Sequence, residues 1–118
     1  PPMPTVTHLV EAMESIAPTE RAEAWDNVGL LVGDPARELH GPVLLTIDLT
    51  EAATREALDL WAGAILAYHP PLFHPRKRLT TADGLGRSLL ALIAAGVAIY
   101  SPHPAPAPAA RPTAWTMG

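Results

Sequence analysis

Cysteine is absent from this 118-residue chain. That excludes a disulfide framework, thiolate metal ligands and a cysteine nucleophile. A basic field is missing too. Eight Lys and Arg stand against twelve Asp and Glu, a net charge of −4, so attraction of nucleic acid or anionic lipid is not an expected function. No apolar run approaches the roughly 20 residues of a membrane-spanning helix. The opening Pro1-Pro2-Met3-Pro4 also lacks the basic and apolar regions of a signal peptide. A cytoplasmic protein without membrane contact is the expectation, and the length suits one domain. Proline is the opposite case: there are 14, five of them between Pro102 and Pro112.

What the chain does have is an alternation of amphipathic helices and short apolar strands. Residues 5–17 place Val6, Leu9, Val10, Met13, Ile16 and Ala17 at helical spacing behind a Thr5 N-cap, and Pro18 stops the helix. Thr19 caps a short second helix, with Glu20 and Glu23 near its positive end. Trp25-Asp26-Asn27 reads as a turn with a folding role. Strands follow at 28–32, 43–47, 64–68 and 97–100, with helices at 51–61 and 83–95. In the first of these helices Ala53, Ala57, Leu58 and Trp61 form the inner face, and Gly63 ends it. The implied fold is α/β: a mainly parallel sheet with helices on both faces, all four strands of parallel type.

Two strands end alike. Ala64-Ile65-Leu66-Ala67 runs into Tyr68-His69-Pro70-Pro71, and Val97-Ala98-Ile99-Tyr100 runs into Ser101-Pro102-His103. Proline lacks the N–H a ladder needs and holds the preceding residue extended, so each histidine falls at or just past the last rung. Ligands of open parallel sheets bind outside the carboxyl ends of the strands. Parallel neighbours bring His69 and His103 to one edge, where Asp48 also ends its strand. Such nitrogen and oxygen donors suit zinc, manganese or iron. A local alternative stays open: His69 capping its strand and Asp48 capping the next helix. Residues 70–82 form a loop longer than a simple connection needs. Its Arg76-Lys77-Arg78 is read as solvated charge in preference to a phosphate site.

Five stretches, in this order and spacing, resemble the amino-terminal part of the NIF-three-like family, also known as GTP cyclohydrolase I type 2 homologues. They are Trp25-Asp26-Asn27-Val28-Gly29-Leu30-Leu31-Val32-Gly33-Asp34, Ile47-Asp48-Leu49-Thr50, Tyr68-His69-Pro70-Pro71-Leu72-Phe73, Lys77-Arg78-Leu79-Thr80 and Ile99-Tyr100-Ser101-Pro102-His103. The stretches run from Trp25 to His103, and the similarity as a whole covers residues 5–103. The Tyr-His-Pro-Pro form is similar to the eukaryotic-type branch. The resemblance implies an α/β subunit of a hexameric ring with two divalent metal ions (zinc, manganese or iron) per complete subunit. By position it makes His69 and His103 metal ligands. Tyr68 replaces a further ligating histidine, and Ala107 holds the place of an aspartate. The family's last His and Glu have no counterpart, so the carboxyl-terminal part of the fold is expected to be missing.

Two domain segments follow: 1–103 as the amino-terminal part of the family's domain, and 104–118 as a Pro/Ala-rich tail, disordered or out of frame. A GC-rich back-translation of Thr113-Ala114-Trp115-Thr116-Met117, shifted by two bases, reads Gly-Val-Asp-Asp, close to a segment the family carries there. A frame shift near His103 is therefore weighed against a natural tail. The resemblance implies a metal-dependent hydrolase of GTP cyclohydrolase type, impaired by its shortened ligand set. The competing reading is a ring-forming scaffold that binds protein partners without catalysis. An aggregation-prone or oligomeric product is expected, because the missing part would leave a strand edge or apolar face uncovered.

Overall fold

A computed structural model describes residues 3–21, 27–72 and 75–102. His103, His74, Trp25, Asp26 and the whole 104–118 segment lie outside the described residues. The elements in order are α1 (Val6–Ile16), a 3₁₀ turn (Thr19–Arg21), β1 (Gly29–Val32), β2 (Val43–Thr46), α2 (Glu51–Asp59), β3 (Ala64–Ala67), α3 (Gly84–Ala94) and β4 (Ala98–Ser101). They form a four-stranded sheet in the order β1-β4-β3-β2.

β2, β3 and β4 are parallel, as their helical crossovers require. β1 is antiparallel to β4 and corrects the expectation of four parallel strands. The reason lies in α1. Its first buried residue, Val6, packs near Ala64 and Ala98 at the amino ends of the parallel strands, and Met13 packs on Leu66 and Tyr100 nearer their carboxyl ends. The helix therefore runs with the strands and delivers the chain to their carboxyl edge. β1 begins there, Gly29 pairing with Ser101, and runs back. A bulge between Leu30 and Val32 and two left-handed glycines, Gly29 (φ 102°) and Gly33 (φ 131°), let it fit.

The central strand explains its own composition. Ala64 and Leu66 face α1, while Ile65 and Ala67 face Ala57 of α2 and Leu89 and Leu92 of α3. With helices on both faces every residue of β3 is buried, so the strand is apolar without alternation. β4 is buried throughout as well. β2 is an edge strand, and Leu45 and Ile47 remain 42% and 60% exposed. Ile16, expected on the inner face of α1, is half exposed.

Both long crossover helices end in the same way. At α3, Gly96 (φ 73°) donates to Ile93 and Val97 donates to Leu92. At α2, Trp61 donates to Leu58 and Ala62 to Ala57, with Trp61 at φ 54°. This 6→1 and 5→2 pattern normally has glycine at the left-handed position. Trp61 therefore lies beyond the helix, 80% exposed, and is not part of the inner face. Gly63, expected as the helix terminator, sits against residues 39–41 instead: a Cβ there would approach the His40 and Gly41 nitrogens to 3.1 and 3.2 Å.

Candidate functional site

The carboxyl edge of the sheet brings together Asp48 and His69, two of the residues that the sequence patterns singled out. Past the strand ends, Tyr68 N–H donates to the Thr46 carbonyl (3.0 Å) and His69 N–H to the Ile47 carbonyl (2.9 Å). Asp48 and His69 each stand two residues beyond the Thr46–Ala67 rung, in the bends that follow the two strands. Their side chains meet: His69 Nδ1 lies 2.7 Å from Asp48 Oδ1. The two side chains are 59% and 62% exposed. A carboxylate accepts only, so Nδ1 is the donor of this bond, and in the neutral ring Nε2 then keeps its lone pair. That nitrogen can bind a metal or accept a proton. The Tyr68 ring sits beside the imidazole, centroids 5.3 Å apart and tilted by 49°.

The local turn is tightly specified. The Asp48 carbonyl accepts from Thr46 Oγ1 (2.8 Å) and from Thr50 N–H (3.1 Å). Thr50, not Asp48, caps α2, its Oγ1 accepting from Ala53 N–H at 3.0 Å. β3 and β4 are tied together at this edge by Ser101 Oγ, which donates to the Ala67 carbonyl in a buried bond. His103, the second expected ligand, follows two residues later and lies outside the described residues. Among the described residues no group of three or more His, Cys, Asp or Glu side chains forms a metal-binding cluster.

Asn27 is the participant that sequence reasoning missed. Because β1 begins at the carboxyl edge, Asn27 arrives beside the loop after His69. Its Nδ2 donates to the Leu72 carbonyl at 2.7 Å. The third residue of Trp25-Asp26-Asn27 therefore clamps the Tyr68-His69-Pro70-Pro71-Leu72 segment. Its spacing from His69 carries no local signal, since the contact spans 45 residues. Arg76 is also engaged, its guanidinium donating to both oxygens of Asp83 at 3.0 and 2.9 Å and to the Arg78 carbonyl. Asp83 in turn caps α3 through the Gly86 N–H. That N–H, with Arg76 second, holds the Asp83 carboxyl below the usual carboxylate range. Arg76 thus anchors the loop to the start of α3.

Beneath the edge, Glu14 of α1 accepts from Thr19 Oγ1 (2.6 Å) and Thr19 N–H (3.1 Å), and Tyr100 donates to it at 3.4 Å. The Thr19 hydroxyl, ahead of its N–H, holds the Glu14 carboxyl low. Burial, reinforced by the Glu14 charge, pushes the Tyr100 phenol up to about 12.

With this geometry in hand, comparison with known proteins decides the family. The family described as Duf34/NIF3 (NGG1p interacting factor 3) matches residues 4–106. The chain belongs to the DUF34/NIF3 family. A NIF3-like protein 1 of Drosophila melanogaster is 47% identical over 98 residues, covering 82% of this chain and 33% of its own length. A GTP cyclohydrolase 1 type 2 homolog of Clostridium perfringens is 39% identical over 95 residues, covering 80% of this chain and 36% of its own. Among solved structures, a Bacillus cereus protein related to NIF3 superposes with a TM-score of 0.79 at 31% identity, covering 87% of this chain and 28% of its own. Reduced HcgD from Methanocaldococcus jannaschii gives 0.76 at 25% identity, with 84% and 39% covered. The chain spans about a quarter to a third of the length of the curated relatives it matches. Among the described residues no helix is long and apolar enough to cross a membrane.

Proposed function

We propose that this chain contributes to a NIF3-type metal centre at the carboxyl edge of its parallel strands, with His69 and His103 as its ligands. The observation that carries the reading is His69 at the end of the buried central strand, its Nδ1 bonded to a carboxylate and its Nε2 without a hydrogen-bond partner among the described residues. A carboxylate–histidine pair of this kind is the usual outer support of a metal ligand. The donor types favour zinc, manganese or iron. When bound, such an ion supplies Lewis-acid polarisation of a substrate oxygen. The chain's own residues fix the imidazole, through Asp48 and the Ile47 carbonyl, and fix the loop beyond it, through Asn27. A cytoplasmic metal-dependent hydrolase of GTP cyclohydrolase type is the activity this arrangement and the relatives' names support best.

One observation favours a second reading, a ring-forming or partner-binding scaffold. Among the described residues β2 is an edge strand with no further strand beside it and no charged side chain, and Leu45, Ile47 and Tyr68 stay exposed beside it. Exposed apolar edges of this kind are normally covered by another chain. Elemental analysis of the purified chain separates the two. The hydrolase reading expects bound zinc or manganese, held weakly and below two ions per chain, and lost on His69→Ala. A metal-free protein that assembles into a defined oligomer would favour the scaffold.

A further inference from the structure

We propose that Asp48 is the positioning residue for His69: its carboxylate holds the Nδ1–H tautomer and so makes Nε2 the nitrogen offered to a metal ion. The inference rests on the reading of His69 as a ligand and adds to it which nitrogen binds and what selects it. Three observations carry it. The Nδ1–Oδ1 distance of 2.7 Å is that of a charge-assisted hydrogen bond. The other task open to an aspartate before a helix, capping α2, is performed by Thr50. Both partners are also set by backbone bonds independent of their side chains. Thr46 and Thr50 hold the Asp48 carbonyl, and Ile47 holds the His69 N–H.

Exposure sharpens the point. A pair with both side chains more than half exposed contributes little to folding. Its consequence is the orientation of the ring. Which ring nitrogen keeps its lone pair is set by the hydrogen bond the other makes. Without Asp48 the imidazole is free to rotate and to exchange tautomers, and a ligand that must first be ordered binds more weakly. Loss of such an outer partner typically lowers metal affinity about 10- to 100-fold.

The test uses the ¹⁵N-labelled 118-residue chain at about pH 8, above the ordinary histidine titration. Two-bond ¹H–¹⁵N correlation spectra report the tautomer of His69, and titration with Zn²⁺ alone reports affinity. The wild type should show the Nδ1–H form. Asp48→Ala should shift it toward Nε2–H and weaken Zn²⁺ binding about 10- to 100-fold. Asp48→Asn, whose amide oxygen still accepts from Nδ1–H, should recover most of both. Thr50→Ala, which removes the α2 cap, should lower the melting temperature and leave the tautomer unchanged. An unchanged tautomer in Asp48→Ala overturns the proposal, as does a lost tautomer with unaltered Zn²⁺ affinity. If the wild type binds no Zn²⁺ while Asp48→Ala still changes the tautomer, the metal reading falls and the orienting role of Asp48 is supported.

Discussion

Replacing Asn27 by alanine isolates the contact that joins the start of β1 to the loop after His69. The bond it removes is 2.7 Å long and part-buried, between a neutral amide and the Leu72 carbonyl. Such a bond contributes about 1 kcal/mol net. Leu72 itself packs against the core formed by β3, β4, α2 and α3, so the released carbonyl is only partly rehydrated. A loss of about 1 kcal/mol corresponds to a fall in Tm of about 4 °C for a domain of this size. It also corresponds to about a fivefold rise in local opening. The Tyr68 and His69 amides lie at the end of the β2–β3 ladder, next to the released segment. Their hydrogen exchange should accelerate by about that factor, while the Val97 amide, bonded to Leu92 at the end of α3, should not respond. Asn27→Asp should be worse, at about 2 kcal/mol, because a carboxylate would then face a carbonyl oxygen. Unchanged Tyr68 and His69 exchange together with an unchanged Tm would refute the clamp.

Two further substitutions test the frame around the site. Trp61→Gly should raise stability by about 1 kcal/mol in urea unfolding, because φ 54° is costly for a bulky residue and the indole is 80% exposed; a loss would mean that the indole makes contacts worth more than the backbone strain. Tyr100 should make stability fall at alkaline pH. Its phenol ionises at about 12 when folded against 10.0 when free, so the folded state keeps a proton the unfolded chain has lost. That contribution is full below the unfolded value and is lost as pH rises through the folded one. Tyr100→Phe should flatten this alkaline slope. Glu14 acts in the opposite sense, its contribution being present above the unfolded carboxyl value and lost on acidification.

The elements that could be read from sequence are those whose signal is local. Thr50 caps α2 directly ahead of its apolar-periodic segment, and Asp83, read as the first residue of its helix, stands one place before it as the cap. Ala64–Ala67 is buried on both faces, as its unbroken apolar run implies. The direction of β1 was not legible, because it depends on where α1 leaves the chain and residues 29–32 contain no trace of that. Trp61 misled for a related reason: its i, i+4 spacing from Ala57 fits a helical face, but a left-handed residue after Leu60 turns it outward. At the site, His69 and Asp48 were marked by their place after strands, whereas their direct bond depended on the β2–β3 register. The Asn27–Leu72 clamp depended on the whole topology. Arg76, read as solvated charge, is instead bonded to Asp83, a partner that the sequence pattern did not indicate.

The measurement closest to the central claim locates the metal in solution. Mn²⁺ added at well below one equivalent broadens the NMR signals of nuclei near it. His8, with its Nδ1 taken up by the Thr5 N–H, and His40 are both exposed and serve as internal controls. The account predicts that the His69 ring resonances broaden first, that His8 and His40 stay sharp, and that His69→Ala abolishes the selective effect. Equal broadening of His8, His40 and His69, or selective broadening that survives His69→Ala, would contradict it.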